Sequence, residues 1–431
     1  MSKDRVKTIL ICSIAILFAF AMKLIPIISY NMGKSSYIKG KYVSAYKSLK
    51  RAYFFNKNNK NYRYYYALTL SHLSPSMTIQ KEIFMLANSE HNDSASQVAS
   101  NKVNEWRSNV LQNIGDNYIE QAPMDNGILR WDVAKFPLKV FVGNFSGEDV
   151  PEYYLTKVNE ALSQWQTSTQ IIKFTSVESE KDADLIVKIS PLPNDVCNGE
   201  SCRYVVGFTT PKISGSLLKN MTITLYSKDP NGNFFSDKEL YNTILHEIGH
   251  ALGIMGHSYS SEDLMYMSSD GNSYYTPYRS SFQYLSSKDI NTIKLLYKML
   301  PDISNNENIS TKGLVYAPII LGTSKDISER KLKEAQHYIK EAPNLAGGYI
   351  DLSVAYSELG KPKEAINAML KANELTKSND EKYMVNLNLG LLYLSIKDYK
   401  KALQYAEIAK SISDTEEVKD LFTQINHARN K

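Results

Sequence analysis

A stretch of twelve residues, HEIGHALGIMGH, contains side chains that can bind a metal ion. His246 and His250 are four residues apart, so on a helix both rings project from the same face. Neutral imidazole is a common zinc ligand, and two rings one turn apart can share one ion. Glu247, beside the first histidine, can take a proton from a zinc-bound water that attacks a carbonyl. The stretch therefore predicts hydrolytic zinc chemistry.

His257, at the end of this stretch, is the candidate third ligand. Gly253 follows the predicted helix, where a glycine permits the left-handed conformation that ends a helix sharply. The chain can then turn back and bring His257 to the two earlier histidines. Three nitrogen ligands leave a fourth position for water, which is the arrangement that a hydrolytic zinc site needs.

The elements that must position these residues alternate between helix and strand. Ser236 and Glu239 form a capping-box pattern at the start of the histidine-bearing helix. PLKVFV, ADLIVKIS and MTITLY are typical of strands, whereas YYLTKVNEALSQWQTST has helical spacing. LSSKDINTIKLLYKML predicts a closing helix that is capped by Ser286 or Ser287. Residues 128–300 are therefore predicted to form a domain that mixes helices and strands.

The HExxHxxG…H arrangement resembles the metzincin metallopeptidases, and three further stretches resemble their matrixin branch. They are RWDVAKFPLKVFV with the helix and strand after it, DLMY, and LSSKDINTIKLLY. The resemblance covers about residues 128–298 and implies a twisted mixed sheet with an active-site helix. It also implies one catalytic zinc ion with His246, His250 and His257 as its ligands. Glu247 would be the catalytic base, and Met265 the methionine beneath the metal.

The sequence departs from the matrixin pattern in three respects. One extra residue separates Gly253 from His257, and Gly256 can absorb it as a bulge because glycine has no Cβ. The other histidines lie outside the central zone, so the additional structural zinc of vertebrate matrixins is not expected. Cys197 and Cys202 do not precede the catalytic zone, so no cysteine-switch propeptide is visible. The sequence makes no prediction about calcium.

Three weaker features each have two interpretations. Tyr266, after Met265, can stabilise an oxyanion or pack in the core. GFTTPKISGSLLKNMTITLY can supply an edge strand that binds an extended substrate, or an ordinary edge strand. Cys197 and Cys202 bracket a short polar loop and can form a disulfide outside the cytosol, or a two-cysteine metal site.

Helical segments are predicted on both sides of this domain, at residues 31–125 and, after a polar linker at 301–325, at residues 326–431. YIDLSVAYSELGKPKEAINAMLKA and NLNLGLLYLSIKDYKKALQYAEIA align without gaps and resemble tetratricopeptide repeats. Plain helical hairpins are the alternative. In the first segment a similar stripe of residues fits the second helix of such a repeat: Gly40, Ala45, Leu49 and Ala52.

The N-terminal residues 1–30 predict an export signal. Lys3, Arg5 and Lys7 precede an uncharged, mostly apolar run. This run is either a cleaved signal peptide or an uncleaved signal-anchor in which Lys23 extends to the membrane surface. Both interpretations place the rest of the chain outside the cytoplasm, secreted or anchored by a single N-terminal span.

The chain has 431 residues, too many for one ordinary core, and its 50 basic and 45 acidic residues are nearly balanced. That balance argues against a nucleic-acid partner. The sequence thus predicts a multi-domain α+β protein, an exported or membrane-anchored zinc endopeptidase whose helical repeats bind substrates or partner proteins. The alternative is a membrane-tethered repeat scaffold with an inactive or non-protease metallopeptidase-like domain. A hydrolase of small molecules or peptidoglycan peptides is a third possibility.

Overall fold

The computed structural model divides the chain into two compact units. The first comprises Met1–Gly115, Lys298–Pro301 and Asn306–Ile320, and the second comprises Asp116–Tyr297, Asp302–Asn305 and Leu321–Lys431. The structure describes residues 22–123, 127–191, 197–198, 201–202, 206–258, 260, 262–266, 284–301, 313–377 and 379–429.

The first unit is built mainly from helices. They are α1 (residues 22–38), α2 (Tyr42–Phe55), α3 (Lys60–Ser71), α4 (Met77–Ala87) and α5 (Ser94–Ile114). Ala45, Leu49 and Ala52 are completely buried on α2, which confirms the predicted stripe there. Gly40 is not part of that stripe. It lies in the turn before α2 with a φ of +71°, and Gly33 on α1 is the glycine that packs against Leu49.

Within the part of the chain that the structure describes, no helix has both the length and the apolar character needed to cross a membrane. The predicted export signal lies, apart from its last residues, outside the described residues.

A five-stranded mixed sheet forms the centre of the second unit, which confirms the predicted α+β class. Its strands are β1 (Leu138–Asn144), β2 (Phe174–Ser176), β3 (Leu185–Ser190), β6 (Gly207–Ser214) and β7 (Leu217–Tyr226). The strand order is β2-β1-β3-β7-β6, in which β6 runs antiparallel to β7 at one edge. A separate hairpin pairs β4 (Cys197–Asn198) with β5 (Ser201–Cys202) and places the two cysteines opposite each other. Their side chains lie outside the described part of the structure.

Three helices belong to this sheet domain: α6 (Tyr153–Thr169), α7 (Asp237–Ala251) and α8 (Ser287–Leu296). Two completely buried tryptophans fix α7 in place. The Trp165 indole N–H donates to the Leu245 carbonyl at 2.9 Å, and the Trp131 indole N–H donates to the Ala251 carbonyl at 2.8 Å. Because buried indoles need such partners, these bonds set both the position and the rotation of the helix that carries the first two histidines.

The C-terminal helices are paired, as the sequence repeat predicts. They are α10 (Ser324–Glu341), α11 (Ala346–Glu358), α12 (Pro362–Leu375), α13 (Asn379–Ser395), α14 (Tyr399–Ile412) and α15 (Glu416–Arg429). The alanines that align between the two repeats, Ala365 with Ala402 and Ala372 with Ala409, are completely buried at equivalent contacts.

Part of the predicted linker has regular structure. It contains β9 (Val315–Tyr316), which pairs with β8 (Met299–Leu300), and α9 (Ala317–Leu321). Residues 302–312 of the linker lie outside the described residues.

Candidate metal centre

Two capping boxes begin the helices on either side of the site. The Glu239 N–H donates to the Ser236 hydroxyl, and the Ser236 N–H donates to the Glu239 carboxylate at 2.8 Å, which confirms the predicted start of α7. At α8 the cap is Ser286, with Asp289 as its reciprocal partner. The sequence left Ser286 and Ser287 as alternatives, and the structure selects Ser286.

Gly253 ends α7 and redirects the chain toward the histidines. Its φ is +111°, its N–H donates to the His250 carbonyl at 2.9 Å, and the Ile254 N–H donates to the Gly249 carbonyl at 3.1 Å. This pair of bonds is a Schellman motif, which requires the left-handed conformation at its glycine. A Cβ at Gly253 would lie 2.2 Å from the Leu129 carbonyl oxygen, so both the conformation and the space require glycine.

The three predicted histidines converge. One possible ligand atom from each of His246, His250 and His257 lies within 4.8 Å of the others, and all three rings are partly buried. The ring centroids are 4.8, 5.2 and 4.9 Å apart. Among the described residues this is the one group of three or more histidine, cysteine or acidic side chains that could hold a metal ion. The third-histidine loop (residues 254–257) brings the last ring back to the helix.

Backbone carbonyls orient two of these rings. His246 Nδ1 donates to the Leu264 carbonyl at 2.9 Å, and His250 Nδ1 donates to the Ile254 carbonyl at 2.5 Å. A carbonyl oxygen can only accept, so each bond holds the proton on Nδ1 and leaves the Nε2 lone pair for a metal. Imidazoles of this kind fit Zn²⁺, which binds neutral ring nitrogens and keeps a position for water in hydrolytic sites.

A segment outside the predicted domain holds the third-histidine loop. We call residues 119–123 the bracing segment. The Met255 N–H donates to the Ala122 carbonyl at 2.9 Å, and a Cβ at Gly256 would lie 1.8 Å from the Gln121 carbonyl oxygen. Gly256 therefore permits a close approach of two backbones, and its φ lies outside the left-handed region. No sequence signal predicts this contact, because the two segments are far apart along the chain.

Met265 lies beneath α7 and is tightly packed there. It is completely buried, and a Cβ at Gly249 would lie 2.3 Å from its sulfur atom. The Asp289 carboxylate accepts from the Leu264 N–H at 2.9 Å and from the Tyr118 hydroxyl at 2.5 Å. Burial raises the pKa of Asp289. This buried carboxylate joins the turn at Leu264 and Met265 to α8, and Tyr266 forms a short parallel bridge with Ser258 at the same turn.

Glu247 is only 7 % exposed, beside the histidines. Its Oε2 accepts a hydrogen bond from the Thr209 hydroxyl at 2.6 Å. Thr209 lies on β6, the strand at the sheet edge that the sequence singled out for another reason. A threonine on a strand carries no sequence signal for this role.

The bracing segment also packs against the C-terminal helices of the same unit. Glu120 Oε2 lies 4.0 Å from Arg330 Nε on α10, beside a small pocket of about 60 Å³ that Glu334 also lines. Burial, and then the charges of Asp351 and Glu120, raise the pKa of Glu334 to about 7. A carboxyl group with a pKa of about 7 therefore lies against the bracing segment, which contacts the third-histidine loop.

Glu334→Gln is expected to raise the Tm of this unit at pH 8 and to leave it nearly unchanged at pH 4.5. The folded-state pKa of about 7 lies above the ordinary value of 4.5, so the proton stabilises the fold at low pH. That stability is lost as the pH rises through 7, and the glutamine variant avoids the loss. Thermal melts at both pH values measure the difference, with Glu329→Gln, exposed on the same helix, as the control. A glutamine variant that melts like the wild type at pH 8 would contradict the expectation.

Comparison with known families agrees with this geometry. Residues 148–298 match the family model of the matrixin peptidases. This segment is a matrixin-like domain. It contains α6, α7, α8 and the three converging histidines, and helical segments precede and follow it in the chain. No curated protein sequence matches the chain significantly.

Several solved tetratricopeptide-repeat structures are similar to the chain. The TPR2B domain of yeast Sti1 in its pHsp70 complex has 21 % identity, covers 24 % of this chain and 97 % of that one, with a TM-score of 0.21. A thermophilic TPR protein of Thermus thermophilus has 12 % identity and a TM-score of 0.21, and the match covers 94 % of this chain and 100 % of that one. Yeast Tom70 has 11 % identity and a TM-score of 0.20, and the match covers 96 % of this chain and 71 % of that one. The repeat character of the flanking helices depends on their own pairing and buried alanines.

Proposed function

We propose that this chain is an exported zinc endopeptidase whose matrixin-like domain hydrolyses peptide bonds, while its helical repeats bind substrates or partner proteins. One observation carries the proposal. Three imidazoles converge beside the buried carboxylate of Glu247, and two of them are held by backbone carbonyls with Nε2 left for a metal. Export is an expectation from the basic and apolar residues at positions 3–22, and recovery of the protein solely from the cytoplasm would contradict it.

The residues divide the work of hydrolysis among them. His246, His250 and His257 would hold zinc, which when bound supplies a Lewis acid that acidifies water and polarises a carbonyl. Glu247 accepts a proton from the water that attacks the peptide carbonyl carbon. It then donates the proton to the leaving nitrogen as the C–N bond breaks. The β6 edge, next to Glu247, has one neighbouring strand in the described sheet and can pair with an extended peptide on its other side.

Removal of zinc tests the proposal directly. The purified protein is expected to contain one zinc ion per chain and to cleave casein or members of a peptide library. Dialysis against a chelator should abolish cleavage, and added zinc should restore it. Metal analysis and fragment detection by mass spectrometry measure both properties. A protein that binds zinc stoichiometrically but cleaves no peptide would instead favour the repeat-scaffold alternative.

A further inference from the structure

Thr209 makes two contacts with the candidate catalytic base. Its hydroxyl lies 2.6 Å from Glu247 Oε2 and 3.1 Å from the Glu247 backbone carbonyl oxygen. A hydroxyl has one proton to donate, and the shorter contact goes to the charged acceptor, which forms the stronger bond. Glu247 as a whole residue is only 7 % exposed, so water has little access to replace this donor.

The approach of β6 to α7 explains why these two residues meet. A Cβ at Gly207 would lie 3.2 Å from the Thr243 methyl group on α7 and 2.9 Å from the Thr224 carbonyl oxygen. The absence of that Cβ lets the strand lie close to the helix. Two residues along a strand advance about 6.7 Å and four along a helix about 6.0 Å. The contacts therefore repeat at matching intervals along the strand and the helix. Gly207 lies beside Thr243, and two residues further along β6 Thr209 lies beside Glu247.

We propose that Thr209 is a positioning residue for the peptidase reaction, whose hydroxyl fixes the plane of the Glu247 carboxylate. The inference depends on the proposed function, because Glu247 must be the base for its orientation to matter. A proton acceptor works only when it is held within hydrogen-bond reach of the attacking water. A carboxylate with free rotation about its last bond would spend part of its time outside that geometry, whereas the hydroxyl holds one oxygen in place.

Three variants of the full-length protein test this role, with a peptide that the wild type cleaves as substrate. Thr209→Val, which keeps the shape and loses the donor, is expected to lower kcat about 10- to 100-fold with an unchanged KM. Thr209→Ser keeps the donor and is expected to stay within about threefold of the wild type. Thr175→Val, at an exposed position on β2 at the opposite edge of the sheet, is the matched control and should not change kcat. Zinc affinity, measured by chelator competition, should be equal in all of them.

Crystal structures of the valine and serine variants supply a readout that does not require activity. The Glu247 carboxylate should occupy one conformer in Thr209→Ser and several in Thr209→Val. A single unchanged conformer in Thr209→Val overturns the inference, as does equal kcat for Thr209→Val and Thr175→Val. A serine variant as slow as the valine variant, or a parallel fall in zinc affinity, also overturns it by pointing to packing or to the metal. If the wild type cleaves nothing, the proposed function fails, and the conformer comparison still decides whether Thr209 holds Glu247.

Discussion

Glu247→Ala is expected to lower kcat for peptide cleavage by a factor of about 10²–10⁴ without loss of zinc. The carboxylate is the one acidic group that the structure places on α7 directly between the two helical histidines. Its loss removes proton transfer both from the attacking water and to the leaving amine, and the three imidazoles remain. Initial rates on a peptide substrate, together with metal analysis of the same preparations, measure both effects.

The alanine variant should also fold, because the Thr209 hydroxyl keeps a hydrogen-bond acceptor. Thr209 loses the carboxylate but can still donate to the backbone carbonyl of residue 247, which lies 3.1 Å away. Glu247→Gln, which keeps the side-chain volume, is the second variant and should be as slow as Glu247→Ala. Either variant cleaving at the wild-type rate would exclude Glu247 as the base. Loss of zinc in both would assign the carboxylate to metal binding instead.

Gly256→Ala is expected to weaken zinc binding by at least about tenfold. The new Cβ would lie 1.8 Å from the Gln121 carbonyl oxygen, and both groups belong to the backbone, so no side chain can rotate to relieve the overlap. The third-histidine loop must then move away from the bracing segment, which breaks the bond from the Met255 N–H to the Ala122 carbonyl. Competition with a zinc-binding dye measures the affinity, and circular dichroism checks the fold.

A glycine in open space provides the control for that substitution. A Cβ added to Gly347 on α11 would have no atom within 4 Å, so Gly347→Ala should leave zinc affinity unchanged. It is also expected to stabilise the helix by up to about 1 kcal/mol, because alanine loses less backbone entropy. Equal zinc affinity in the Gly256 and Gly347 variants would show that the bracing segment does not hold the third ligand.

Local sequence signals predicted the parts of the site that depend on neighbouring residues. The capping box at Ser236, the i, i+4 histidines and the helix-ending Gly253 are each specified within a few residues, so their geometry follows from backbone physics. Buried Asp289 belongs to the same class, since it is the third residue after the Ser286 cap and could have been recognised there. The two aligned helix pairs were likewise predictable from their repeated alanines.

Contacts between distant segments were not predictable in this way. Thr209 meets Glu247, and Gln121 meets Gly256, only because the sheet and the loops bring them together. A threonine on a strand and a glutamine at the end of a short 3-10 helix have many ordinary uses, so their types carry no information about these roles. Gly40 shows the opposite error, since its spacing fitted a helical stripe although its positive φ belongs to a turn.

The bracing segment determines where the matrixin-like domain can be separated from the rest of the chain. The family match begins at residue 148, which already omits β1, and residues 119–123 lie further upstream still. A fragment trimmed to the match would keep all three imidazoles and the carboxylate, yet lose the carbonyl that the Met255 N–H meets. The domain therefore requires residues upstream of the family match for its structure. Grafted into another protein without this lead-in, it would carry the motif of a zinc enzyme without the support of its third ligand.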